Sequence, residues 1–226
     1  MTHLEERIEK SFEHCVKIME NSGEELAPML DIEYIDENDK TGNVVCVVMS
    51  NDPERQQKFI GSLGVVFAGV KRMGRIKEVK SVLFMSEGWF TTLTNEEVEK
   101  AGGIKNIPKP SQMKNKREML LVSGRTEDKT YGIKNKEIIR TEVKGKKYFS
   151  LADFNKDGGT ASIEKAPILD EFFDGYEFTI NNHDPKGDEL QKKAIEHAMF
   201  KDISTEHIIK LGIERVFKTV GGEVEY

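Results

Sequence analysis

Val79, Val82, Leu83, Phe84 and Met85 form a nearly continuous apolar run within the stretch Glu78–Phe90. A short run of this kind is the pattern of a strand buried on both faces, so it sets a sheet at the centre of the fold. The run ends in Ser86-Glu87-Gly88-Trp89, which places a carboxylate at the exit of a buried strand beside the only tryptophan of the chain.

The elements on either side can be read from period and punctuation. Leu4, Ile8, Phe12, Cys15, Val16 and Met19 recur at helical spacing, and Ser22-Gly23 supplies a stop where a left-handed cap is cheap. Leu30, Ile32 and Tyr34 alternate as in a strand, and Val44–Met49 is β-branched, with a polar turn between them, so the pair predicts a hairpin. Asn51-Asp52-Pro53-Glu54 opens a helix expected to run to about Met73. Gly61, Gly64 and Gly69 inside it point to close packing against the sheet, since no phosphate-binding glycine pattern follows a strand here. Strand, helix and buried strand read as a βαβ unit, with Val44–Met49 and Val79–Met85 parallel.

After a long polar connection over 91–116, strands are predicted at Glu118–Gly124, Lys136–Val143 and Tyr148–Leu151. Tyr176, Phe178 and Ile180 alternate as a strand would, and two further helices follow, one with Leu190, Ala194, Ile195, Ala198 and Met199 and one with Ile209, Ile213, Val216 and Val220. The expected fold is α+β: a mixed sheet containing the βαβ unit, with helices on one face. The expected division is a core domain over 1–151 and a C-terminal helical appendage over 152–226.

Composition narrows the function classes. A charged content of 33% with a net charge of −6 describes a polar, foldable chain and disfavours general nucleic-acid coating. Cys15 and Cys46 stand apart, as reduced buried thiols do. Acids at Glu5, Glu6 and Glu9 interrupt any leader-like apolar stretch, and no segment approaches the roughly 20 apolar residues of a membrane span. The expectation is a cytoplasmic protein with no membrane partner. The five histidines lack metal-protease spacing, and no nucleophile elbow is present.

The order Ala27-Pro28, then Val82-Leu83-Phe84-Met85-Ser86-Glu87-Gly88-Trp89, then Pro110-Ser111 and Arg117-Glu118-Met119-Leu120-Leu121-Val122 carries a likeness. Over residues 26–125 the chain resembles a group of uncharacterised phage and prokaryotic proteins in which a hydrophobic strand ends in a Ser-Glu-Ala-Trp-like sequence and a Pro-Ser…Arg-x-Glu stretch follows. Gly88 departs from the alanine of that pattern. The resemblance implies a shared fold and no activity.

Three constellations carry chemistry. Glu87 with Arg117 and Glu118 reads as a half-buried acid seeking a guanidinium, so an ion pair of Glu87 with Arg117 is expected, and these two are the catalytic candidates should the chain be an enzyme. Asp153, Asn155, Asp157 and Gly159, with Glu164 at the twelfth position, have the spacing of the EF-hand loop they resemble, with oxygen donors suited to Ca²⁺. Against that reading, Thr160 occupies an apolar position of the loop and no second loop pairs with it, so a solvated turn stays open as the alternative. Trp89 with Lys114 and Lys116 is a binding candidate. Lys105, Lys109 and Arg117 in the same connection, and Lys144, Lys146 and Lys147 in a hairpin, keep nucleic acid open as a partner class. The reading that results is a non-enzymatic cytosolic accessory protein acting by binding a protein partner. The alternative is a metal-assisted hydrolase, with nucleic acid as a candidate substrate, that uses Glu87 or the Asp153–Glu164 acids.

Overall fold

A computed structural model describes residues 1–48, 53–91, 93–103, 106–153, 167–182 and 203–221. The first helix, α1 (His3–Ser22), begins on a capping box. The Thr2 hydroxyl accepts from the Glu5 N–H, and the Glu5 carboxylate accepts from the Thr2 N–H. It ends where Gly23, at φ 67°, donates its N–H to the Met19 carbonyl. Strands β1 (Met29–Asp36) and β2 (Thr41–Val47) form the expected hairpin, and α2 (Pro53–Arg72) follows. Then come β3 (Ile76–Phe90), a short α3 (Asn95–Lys100), β4 (Arg117–Thr126), β5 (Tyr131–Val143) and β6 (Lys146–Ala152). Lys144 and Gly145 both take positive φ, which closes the β5–β6 hairpin in two residues. Two helices follow, α4 (Pro167–Asn181) and α5 (Thr205–Val216), and a π-helical turn, Phe217–Gly221, ends the described chain.

The fold is α+β. The six strands lie in the order β2-β1-β3-β4-β5-β6, and all five pairings are antiparallel. The expected mixed sheet is therefore corrected to an antiparallel one. Strands β2 and β3 do run in the same direction, but β1 sits between them and hydrogen-bonds to both. Helical and strand periods show which segments form; they do not show that β1 inserts itself between its hairpin partner and the next strand.

Helices cover both faces of the sheet, not the one face expected. On one side Leu30, Ile32, Val82 and Phe84 pack beneath α2, with Leu169, Phe172 and Tyr176 of α4 and Ile209 and Ile213 of α5 in the same core. On the other, Leu83, Met85, Leu120 and Val122 meet Leu4, Ile8, Phe12 and Cys15 of α1. Successive residues of β3 thus feed opposite cores, which is why the run at 82–85 is apolar throughout.

The C-terminal helices are bound into this body. Tyr176 and Ile180 belong to the helical stripe of α4 and not to a strand. An i, i+4 pair of apolar residues suits either period, and Phe178, midway between them, is exposed. A Cβ on Gly64 would overlap the Phe172 carbonyl, and one on Gly175 the Gly61 carbonyl. Gly61 and Gly64 therefore admit a helix, α4, at backbone distance, and not the sheet, while Gly69 faces open space. Arg125 of β4 reaches Asp170 of α4 (Nη1–Oδ1 3.0 Å), with its guanidinium 4.3 Å from the Phe173 ring centre.

Candidate functional site

The site is assembled at the end of the buried strand. Glu87 does lose most of its contact with water, its side chain being 8% exposed, but its partner is Arg140 (Nη2–Oε2 2.6 Å) and not Arg117. In the β3–β4 register Glu87 stands opposite Leu120. Side chains alternate between faces with period two, so Arg117, three residues from Leu120, projects from the opposite face. There it forms an ion pair with Glu137 and covers Phe90. The expected Glu87–Arg117 pair is corrected accordingly.

Glu118 has the parity Arg117 lacks. It faces the same side as Glu87, and Arg140 spans both acids, with Nε 2.9 Å and Nη2 3.0 Å from the two Glu118 oxygens. The Leu26 N–H adds a 2.8 Å bond to Glu87 Oε1. Burial pushes the Glu87 carboxyl above its ordinary range; the Leu26 N–H and Arg140 pull the other way, and the adjoining Glu118 carboxyl reinforces the rise. One guanidinium thus clamps two carboxyls drawn from adjacent strands. Nε and Nη2 of Arg140 and all four carboxyl oxygens take part in these bonds.

A cleft of about 630 Å³ opens beside the clamp, lined by Gly23, Glu24, Glu25, Arg140, Thr141 and Glu142. Next along β3 on the same face is Trp89, 44% exposed, which stands opposite Glu118 in the register. The ammonium of Lys116 lies 4.5 Å from the centre of the indole and donates to the Ser111 carbonyl at 3.0 Å. Lys114 is exposed in the turn before β4. Two of the three binding candidates, Trp89 and Lys116, are therefore in contact with each other.

A second polar cluster, which the sequence reading did not pick out, lies beneath α1. Arg7 is buried and reaches Asp31 (Nη2–Oδ2 2.8 Å), the Ser81 hydroxyl and, more distantly, Glu33 (Nε–Oε1 3.8 Å). Asn43 donates to the other Asp31 oxygen at 2.7 Å, and His3 Nε2 lies 2.7 Å from Glu33 Oε2. The signal was present in the sequence: Arg7 falls on the same helical stripe as Leu4 and Ile8, while Asp31 and Glu33 interrupt a strand whose other face is apolar.

Of the calcium-loop residues, Asp153 is exposed at the end of β6 and pairs with Lys136. Asn155, Asp157, Gly159 and Glu164 lie outside the described residues. Among the described residues no three acids, histidines or cysteines gather as a metal site, and no helix is long and apolar enough to cross a membrane. No protein-family model, curated protein or solved structure matches this chain. The functional reading rests on the side chains just described.

Proposed function

We propose that this protein acts by binding a protein partner, as a cytosolic accessory factor of a phage or its prokaryotic host, and that the surface around Trp89 makes the contact. The observation that carries this reading is the placement of Trp89. The single tryptophan is left nearly half exposed three residues beyond the stretch of β3, Ser81 to Ser86, that is buried throughout, with Lys116 over its ring. Tryptophan is among the residues that most often dominate binding energy, because a large flat surface is desolvated at small cost in side-chain entropy. The adjoining Glu87–Arg140–Glu118 clamp supports the reading from the other side. It ties the end of β3 that carries Trp89 to β4 and β5, with both carboxyls held by one guanidinium.

The test begins with affinity capture on the wild-type chain and is decided with the purified partner. Because the chain has one tryptophan, fluorotryptophan labelling gives one ¹⁹F resonance from Trp89. That resonance shifts on addition of the partner, and Trp89→Ala weakens binding by about 2 kcal/mol or more without unfolding the chain. A partner that binds Trp89→Ala as tightly as wild type sinks the assignment. Hydrolysis of nucleic acid in the presence of magnesium or manganese that is lost in Glu87→Gln would overturn the binding reading in favour of catalysis.

A further inference from the structure

The two edges of the sheet are unlike. Strand β6 begins with Lys146-Lys147, and charged residues of this kind discourage strand addition. Strand β2, Thr41-Gly42-Asn43-Val44-Val45-Cys46-Val47, has no charged residue and no proline. Among the described residues it pairs with β1 alone. Val44 and Cys46 are buried toward α2, but on the other face Val45 is 58% and Val47 39% exposed.

The register shows which main-chain groups this edge offers. Val48 donates its N–H to the Pro28 carbonyl at 2.7 Å, and the β1–β2 pairing of Met29 with Val47 makes Val48 and Pro28 direct partners. In an antiparallel ladder such hydrogen-bonded pairs alternate, so Cys46, Val44 and Gly42 also bond inward to β1. The N–H and C=O groups of Asn43, Val45 and Val47 then point outward. The same three residues carry their side chains on the exposed face.

We infer that β2 is a dimerisation edge, on which two copies of this chain join their sheets by antiparallel pairing of β2 with β2 about a twofold axis at Val45. In that register Val45 faces Val45 of the second copy, and Asn43 faces Val47, so every outward N–H of the three meets a carbonyl. The exposed valines of both copies come together in one apolar patch. A second copy is the occupant that this strand suits. An uncharged strand can meet itself with no like charges opposed, and its hydrogen-bonding residues are symmetric about Val45. The pairing is isologous and closes at two copies, whereas β2 on β6 would propagate into filaments.

The test uses the full chain. Sedimentation equilibrium over rising concentration should show a species of twice the 25.7 kDa chain mass. Amide exchange should slow with concentration at Asn43, Val45 and Val47, while Val44 and Cys46, bonded to β1, stay protected throughout. Val45→Lys opposes two ammonium groups at the axis and should weaken dimerisation roughly tenfold or more. An equimolar mixture of Val45→Lys and Val45→Glu should restore it as a heterodimer. A monomer at every concentration overturns the inference, as does a dimer unaffected by Val45→Lys or exchange at Val45 that ignores concentration. Filaments in place of dimers would overturn it in favour of edge-to-edge growth. The mass and exchange of the wild-type chain decide the matter even where a variant fails to fold.

Discussion

Arg140 of β5 reaches across β4 to Glu87 of β3, Nη2 to Oε2 at 2.6 Å, and binds Glu118 of β4 on the way. One guanidinium therefore pins three strands. Arg140→Met would leave two adjacent, mostly buried carboxyls without a counter-charge. A fully buried pair broken in this way costs about 3–5 kcal/mol; Arg140 is 30% exposed, and solvent screening reduces the expected loss to about 2–3 kcal/mol. Arg117→Met removes a more open pair on the other face and is expected to cost below about 1 kcal/mol. Urea unfolding at neutral pH ranks the two, and a larger loss for Arg117→Met would contradict the clamp.

The same clamp has a pH signature. Unfolded, the Glu87 carboxyl titrates near 4.5, and burial raises it in the folded chain. Below 4.5 both states hold the proton and nothing is lost. As pH rises through 4.5 the unfolded state releases its proton first, so this group's contribution to stability falls until the folded carboxyl ionises too. Glu87→Gln keeps an acceptor for the Leu26 N–H and does not titrate. Its stability relative to wild type should therefore increase as pH rises from 4.5 toward neutrality. Taking this difference isolates Glu87 from Asp31, whose carboxyl burial also raises. Denaturation curves at stepped pH that give a flat or falling difference would show that Glu87 is not the acid responsible.

Much of this was legible in the residues, and the gaps have physical causes. The stripe of α1, its Gly23 cap, the proline start of α2 and the double burial of β3 follow from local period and local chemistry, and each is where the sequence places it. Strand order is a tertiary choice, and nothing local to β1 records that it lies between β2 and β3. The site was half legible. That Glu87 would be shielded and need a guanidinium followed from its position, but choosing Arg117 overlooked the two-residue period that turns it to the other face. Arg140 lies 53 residues away in the sequence, in a polar stretch of β5 with no periodic mark. Arg7 was missed because an arginine within an apolar stripe is easily taken for the edge of the helix's polar face.

Under α1, the Arg7 network gives a second stability prediction. Arg7 and Asp31 are both buried, so Arg7→Met leaves Asp31 indoors without its counter-charge and is expected to cost about 3–5 kcal/mol at neutral pH. Proton uptake by Asp31, whose carboxyl burial already raises, relieves part of this, so the loss should shrink in mild acid. Asp31→Asn in the Arg7→Met background should recover much of it at neutral pH. Chemical denaturation of the three proteins at two pH values is sufficient. A loss under about 1 kcal/mol that is independent of pH would mean that the network is open to water.

The helix layer offers the sharpest contrast, between two glycines five residues apart on α2. A Cβ at Gly64 would run into the backbone of α4 at Phe172 and Tyr176, which can yield only by moving one helix away from the other. Overpacking against backbone has no rotamer to absorb it, so Gly64→Ala is expected to cost about 2–3 kcal/mol, and Gly175→Ala a similar amount against the Gly61 carbonyl. At Gly69 a Cβ would meet nothing within 4 Å. Glycine there carries only its conformational entropy, and Gly69→Ala should stabilise the helix by up to about 1 kcal/mol. For a chain of this size that is a rise of roughly 2–4 °C in Tm. Thermal unfolding of the three variants should therefore move in opposite directions for the same chemical change. If Gly64→Ala leaves Tm unchanged, α4 does not lie at backbone distance from α2, and the C-terminal helices pack in some other way.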